Sequence, residues 1–218
     1  EIQKTIQEVY GLPDNRIPVV FNGIDLSRCI VKESYARKDT FTVLHIGRFM
    51  DVKNHELLLR SFARFKEHHS DARLQLLGDG ELKENMMQLA GQLNITDAVE
   101  FAGLQSNVYP WLHNADVFVL PSKFEGMPMT LIEAMGTGLP IIASDVGGIP
   151  DMFMDQKDAL LIAPKEENIL VALESIYSDE EKRKRLGRNA WDKSAAFSAI
   201  TMAKKYADIY ENISEGGV

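Results

Sequence analysis

The chain has 218 residues and lacks the marks of several protein classes. Cys29 is its only cysteine, so no intrachain disulfide can form and a reducing compartment suits it. Lysine and arginine number 24 against 32 aspartates and glutamates, for a formal net charge of −8. Without a basic excess to neutralise phosphates, nonspecific nucleic-acid binding is disfavoured, although a local cationic pocket is not. No apolar run approaches the roughly 18–20 residues that span a bilayer. No signal peptide is evident, since Glu1 opens a polar, helix-like stretch. That opening, without an initiator Met, reads as a fragment of a longer chain or a processed form. Internal repeats, low-complexity segments and Ser/Gly linkers are also missing from the sequence.

Several chemical signatures are missing too. No two aspartates stand two positions apart, which removes the D-x-D metal motif. The histidines, His45, His55, His68, His69 and His113, form neither H-E-x-x-H nor a zinc spacing with Cys29. There is no G-x-S-x-G nucleophile elbow and no G-x-x-x-x-G-K-[ST] phosphate loop. Gly78-Asp79-Gly80 begins a dinucleotide fingerprint, but Lys83 stands where its third glycine would be.

Against these absences stands an ordinary globular balance, 45% hydrophobic and 26% charged, which supports a sizeable core. Apolar runs predict strands at Val19–Phe21, Thr42–Ile46, Leu74–Leu77, Val99–Ala102, Val117–Leu120, Pro140–Ala143 and Ala159–Ile162. Helical spacing predicts helices at Asn54–His69, Leu82–Leu93, Tyr109–Asn114 and Thr130–Met135, then Glu166–Tyr177, Asp179–Phe197 and Ala199–Ile213. Such alternation implies right-handed crossovers and an α/β fold, a Rossmann-like doubly wound parallel sheet with helices on both faces and a helical tail. In the last helix Ala203, Tyr206, Ala207, Tyr210 and Ile213 share one face. That face packs either on the chain's own sheet or partly against a second domain.

The chemistry-bearing residues fall just after strands, where α/β sheets bind ligands. Gly47 and Arg48 follow one strand and Lys53 opens the next helix; a planar fork and a mobile point charge together suit a diphosphate. Gly78 and Gly80 make a tight turn after another strand. Glu125-Gly126-Met127-Pro128-Met129-Thr130-Leu131-Ile132-Glu133 follows a third, with Glu125 in the turn and Glu133 one or two turns into a helix. Two carboxylates near a sugar are either an acid/base pair or acceptors for hydroxyl groups. Gly138 can cap that helix, and Gly147-Gly148 lets backbone approach something closely.

In this order and spacing the pieces resemble the retaining glycosyltransferases of family 4, whose fold, GT-B, sets two Rossmann-like domains face to face. The matching segments are Val20–Asp25, Gly47-Arg48 with Lys53, Gly78–Gly80, Phe101–Gly103, Pro121-Ser122, Glu125 with Glu133-Ala134, and Gly138 through Pro150. The resemblance covers nearly the whole chain and is to the carboxyl-terminal, donor-binding half. It implies a nucleoside-diphosphate sugar as substrate, a missing N-terminal acceptor domain as partner, and no cofactor or metal, because protein cations replace the metal. It assigns Arg48 and Lys53 to the departing diphosphate and Glu125 to the sugar hydroxyls. The backbone of Gly126, Met127, Met129 and Thr130 would serve phosphate or sugar, and Glu133 the ribose. Leu104 would meet the base, with Gly47, Gly78 and Gly80 close by. Two departures from the family's habit are Asp151, where Glu is frequent, and Met127-Pro128-Met129, whose proline removes one N–H donor.

The resemblance further implies residues 1–198 as the nucleotide-sugar domain and 199–218 as a helix reaching toward the absent domain. It implies a cytoplasmic enzyme, peripheral at a membrane if at all and not through this domain. Other classes remain open on the residues alone: a nucleotide-binding module without chemistry, a nicotinamide-dependent oxidoreductase, and a hydrolase using Glu125 and Glu133.

Overall fold

The computed structural model describes residues 2–11 and 17–214; Glu1 and residues 215–218, inside the expected domain bounds, lie outside them. A helix α1 (Ile2–Tyr10) precedes six strands: β1 (Phe41–Ile46), β2 (Ala72–Leu77), β3 (Val99–Gly103), β4 (Val117–Leu120), β5 (Ile141–Ser144) and β6 (Leu160–Ile162). They form one parallel sheet in the order β3-β2-β1-β4-β5-β6. The order reverses between β1 and β4, which makes their carboxyl ends the topological switch point. Between and after the strands lie α2 (His55–His68), α3 (Lys83–Gln92), α4 (Tyr109–Asn114), α5 (Met129–Thr137), α6 (Ile149–Met152), α7 (Glu166–Ser178), α8 (Glu180–Ser194) and α9 (Ala199–Ser214).

Alternation along the strands explains the two layers of helices. Val43, Leu74, Val117, Val119 and Ile142 face a core closed by α2, α3 and α7. Leu44, Ile46, Phe118, Leu120, Ile141 and Ala143 face a second core closed by α4, α5 and α6. Helix α2 shows the link from spacing to burial, since Leu58, Leu59, Phe62 and Phe65 lie at i, i+1, i+4 and i+7 and are fully buried. Asp179 starts α8 by accepting a hydrogen bond from the Lys182 amide at 2.9 Å. Gly138, left-handed at φ 70°, ends α5 as the sequence implies.

The segment between α1 and β1 differs from expectation. Val19–Phe21 is not a strand. No neighbouring backbone offers it a ladder, and its neighbourhood is tied down instead by an Ile24–Ser198 bridge and by Phe21 packing on Phe197 at 5.4 Å. Further along, buried Arg183 donates to the carbonyls of Tyr35, Ile176 and Tyr177 at 3.0, 2.6 and 3.0 Å, which pins the segment before β1 to α7 and α8.

Helix α9 also departs from one of its two readings. Tyr206, Tyr210 and Ile213 are 46%, 68% and 58% exposed, so this face does not pack on the chain's own sheet. Among the described residues no helix is long and apolar enough to cross a membrane.

Candidate functional site

At the switch point two loops cross, one after β1 and one after β4. They are stitched along their length. His45 Nδ1 donates to the Val119 carbonyl at 2.8 Å, and Asn54 Nδ2 donates to the Pro121 carbonyl at 3.1 Å. The Lys123 amide donates to the Val52 carbonyl at 2.8 Å, and its ammonium pairs with Asp51. At the centre Lys53 Nζ donates to Glu125 Oε1 at 2.6 Å, and Ser122 Oγ donates to the same oxygen at 2.6 Å. The two side chains that the sequence placed 72 positions apart therefore meet as a half-buried ion pair.

Beneath the β1 loop lie two buried histidines. A carbonyl can only accept, so the bond to Val119 fixes the proton of neutral His45 on Nδ1 and leaves Nε2 as an acceptor. Nε2 has no partner and lies against Gly47, where a Cβ would come within 2.8 Å of it. His55 stacks on Phe49 at 4.1 Å and meets His45 edge-on at 4.6 Å, and neither of its ring nitrogens has a partner. Burial, reinforced by the positive charge of Lys53, pushes His55 down to about 2. Burial likewise lowers His45, to about 4. Both rings are neutral packing for the cationic loop above.

On one side of the stitched loops an open pocket of about 460 Å³ is walled by Gly47, Arg48, Gly78, Asp79, Gly80 and Leu104, among others. Arg48 is exposed, and among the described residues its guanidinium has no hydrogen-bond or ion-pair partner. Leu104 is 78% exposed at the pocket wall. The two glycines have a steric reason that concerns the protein itself. At Gly78 (φ 135°) a Cβ would lie 2.1 Å from the Gly47 carbonyl, and at Gly80 (φ 154°) 2.5 Å from the Phe49 carbonyl. Their missing side chains let the β2 turn nest against the β1 loop.

On the other side Gly126 and Met127 line a wider depression of about 650 Å³ with Phe21, Asn22, Gly148 and Asp151. The Gly147-Gly148 turn approaches the Glu125–Gly126 backbone. A Cβ would lie 1.9 Å from the Glu125 carbonyl at Gly147 and 2.1 Å from the Gly126 carbonyl at Gly148, and the Gly148 amide donates to Glu125 at 3.0 Å. The turn is a rigid buttress behind the loop. Pro128 supplies no side-chain cap to α5, so the first-turn amides of Met129 and Thr130 point out without a capping acceptor.

Glu133 lies in the second turn of α5 and on neither pocket's wall. It is half-buried and has no hydrogen-bond partner among the described residues. Burial raises its pKa, and the nearby positive charge of Arg28 works against the rise. Arg28 in turn lies over the Tyr109 ring at 5.2 Å. Cys29, packed where Gly136 leaves room on α5, is pushed up to about 11 by burial and the charge of Glu133, so it is an unreactive thiol.

The structure thus brings Gly47, Arg48, Gly78, Gly80 and Leu104 to one pocket, and joins Lys53 to Glu125 beside Gly126 and Met127. Sequence reasoning missed His45, Asn54 and Lys123, whose bonds run to backbone carbonyls or to a partner 72 residues away, and His55, which is held by ring packing on Phe49 and His45. Ser122 was visible only as part of a motif, without a role.

Comparison with known proteins places this geometry among relatives. The family model described as glycosyl transferases group 1 matches residues 29–193. The N-acetylgalactosamine-N,N'-diacetylbacillosaminyl-diphospho-undecaprenol 4-alpha-N-acetylgalactosaminyltransferase of Campylobacter jejuni is 30% identical over 199 residues, 89% of this chain and 53% of that protein. The N-acetyl-alpha-D-glucosaminyl L-malate synthase of Bacillus anthracis is 31% identical over 214 residues, 96% of this chain and 54% of its own. The chain spans about half the length of these curated relatives. Among solved structures, the lipopolysaccharide outer core galactosyltransferase WaaB superposes with a TM-score of 0.81 at 26% identity, over 97% of this chain and 60% of that one. Anabaena HepE, solved with UDP and glucose, shares the fold with a TM-score of 0.85 at 19% identity, over 96% of this chain and 60% of its own.

Proposed function

The chain belongs to the glycosyl transferases group 1 family, and on that premise we propose that it is the donor-binding half of a retaining glycosyltransferase. The full enzyme would move a hexose-type sugar from a nucleoside diphosphate to an acceptor. The observation that carries this reading is the stitched switch point, where an unpaired arginine and a preformed Lys53–Glu125 pair lie between two pockets.

Each role follows from the chemistry of the group. Breaking the bond to a nucleoside diphosphate builds negative charge on the departing phosphate, and fixed cations stabilise it without reorganising. Arg48, which has no partner among the described residues, is free to meet that charge; Lys53 adds a second charge from the Glu125 pair. The first-turn amides of α5 add donors for phosphate or sugar oxygens. Glu125 accepts from sugar hydroxyls, Glu133 from the ribose, and Leu104 offers an apolar platform to the base. With two cations on the leaving group, no metal is assigned.

Acceptor groups are assigned to a second domain, so this chain alone would bind a donor without transferring it. The exposed apolar face of α9 is the surface proposed to meet that domain. The Campylobacter relative's name includes a diphospho-undecaprenol, which supports a lipid-linked saccharide as one candidate acceptor and a cytoplasmic, membrane-peripheral setting for the full enzyme.

A thermal-shift panel of UDP-, GDP- and ADP-sugars tests the reading. A ligand at about 100 times its Kd stabilises the fold by roughly 2.7 kcal/mol. In a domain of this size that raises Tm by about 5–10 °C. Absence of a shift with every nucleotide sugar, or an undiminished shift in Arg48→Ala, would refute the donor assignment.

A further inference from the structure

Lys53 has two claims on it in the donor-site reading, and the inference below rests on that reading. In the free protein its ammonium donates to Glu125 Oε1 at 2.6 Å. With a diphosphate in place the same ammonium is drawn toward phosphate oxygens. The carboxylate then shares or loses its only charged partner at the step in which it must hold the sugar.

Ser122 supplies what the lysine gives up. Its side chain is fully buried and donates to the same Oε1 at 2.6 Å. Its backbone is held on both flanks, because the Pro121 carbonyl accepts from Asn54 Nδ2 at 3.1 Å and the Lys123 amide donates to Val52 at 2.8 Å. The hydroxyl thus occupies a fixed place independent of Lys53. Oε1 accepts from both donors, whereas Oε2 accepts from no described residue, on a side chain that is 10% exposed. A carboxylate has lone pairs for about four hydrogen bonds, so Oε2 is the oxygen left for incoming hydroxyls.

We propose that Ser122 is a positioning residue for the donor sugar: its buried hydroxyl holds Glu125 by Oε1 and leaves Oε2 to accept while Lys53 turns to the diphosphate. It touches neither sugar nor phosphate, and its effect passes through Glu125 alone. Binding of the bare diphosphate therefore does not depend on it, whereas the added affinity from the sugar does.

The test measures affinities of this chain by calorimetry for UDP, GDP and ADP and for the hexose conjugate of each. In Ser122→Ala the conjugate that binds the unmodified chain should weaken about tenfold, the loss typical of one hydrogen bond to a charged group. The matching bare diphosphate should stay within about twofold. Ser122→Cys, nearly isosteric with a weak S–H donor, should fall between. In a Glu125→Ala background, which removes the acceptor, Ser122→Ala should add no further loss. Equal weakening of conjugate and bare diphosphate, losses that add to those of Glu125→Ala, or no loss at all would each overturn the proposal while leaving the donor reading intact. Failure of every nucleotide to bind the unmodified chain would overturn the donor reading, and this inference with it.

Discussion

Acidifying the buffer from about pH 7.5 to about pH 5.5 should cost this fold about 3 kcal/mol of stability through two histidines alone. His45 is fully buried and His55 is 3% exposed, and both stay neutral in the folded chain. Burial is the main cause, holding His45 near 4 and His55 near 2 against an ordinary value of 6.5. The unfolded chain takes up both protons as the pH falls through about 6.5. Below that value the unfolded state therefore binds more protons than the folded one, so stability is complete above it and drains away as the pH drops. The loss continues down to about 4 for His45 and about 2 for His55. At pH 5.5 each depressed imidazole has forfeited roughly 1–2 kcal/mol, and most carboxylates have yet to titrate. Urea unfolding at the two pH values, with the slope against denaturant held constant, measures the difference. His55→Leu should reduce it by roughly half while removing two ring nitrogens that have no partner among the described residues. A His55→Leu protein that keeps the full wild-type loss, or a wild type indifferent to pH across this window, would refute the assignment of two neutral buried imidazoles.

Other expectations follow from the same geometry. Arg48→Ala should abolish most nucleotide-sugar affinity, measured by calorimetry, with Tm unchanged within about 2 °C, because the side chain is exposed and unpaired. Lys53→Met should cost about 2–4 kcal/mol in urea unfolding by stranding a carboxylate whose side chain is 10% exposed, and adding Glu125→Gln should restore much of it. Gly147→Ala should destabilise by about 2 kcal/mol or more and weaken sugar binding, since its Cβ would meet the Glu125 carbonyl at 1.9 Å in a left-handed backbone.

The architecture was largely legible in the sequence because parallel strands buried on both faces announce themselves as apolar runs. Six of the expected strands stand within two residues of their observed bounds. Val19–Phe21 has the same apolar look, but a strand also needs a neighbouring backbone, and spacing cannot report its absence. In the sequence Gly78-Asp79-Gly80 reads as a tight turn, and Gly147-Gly148 as a place where backbone approaches something closely. They prove to be room for the chain itself at Gly78, Gly80, Gly147 and Gly148, because sequence distance hides which loops nest together. Arg48, Lys53 and Glu125 were found from their positions after strands. The bonds that hold them in register run to Val119, Pro121 and Val52 carbonyls, and backbone carbonyls carry no mark in a sequence. Ser122 could have been suspected three residues before Glu125, but only the turn brings the hydroxyl onto Oε1.

The stitching of the β1 and β4 loops bears on how a ligand would be held. A flexible loop that closes over its ligand loses conformational entropy at the moment of binding, and affinity falls by that amount. Here the ordering of these loops is completed when the chain folds, through His45, Asn54, Lys123, Lys53 and Ser122. If the chain binds a donor as proposed, its affinity and the fold's stability would be coupled in one direction. A substitution at His45, Asn54 or Ser122 that loosens a crossing would return an entropic penalty to the binding step without removing an atom assigned to the ligand.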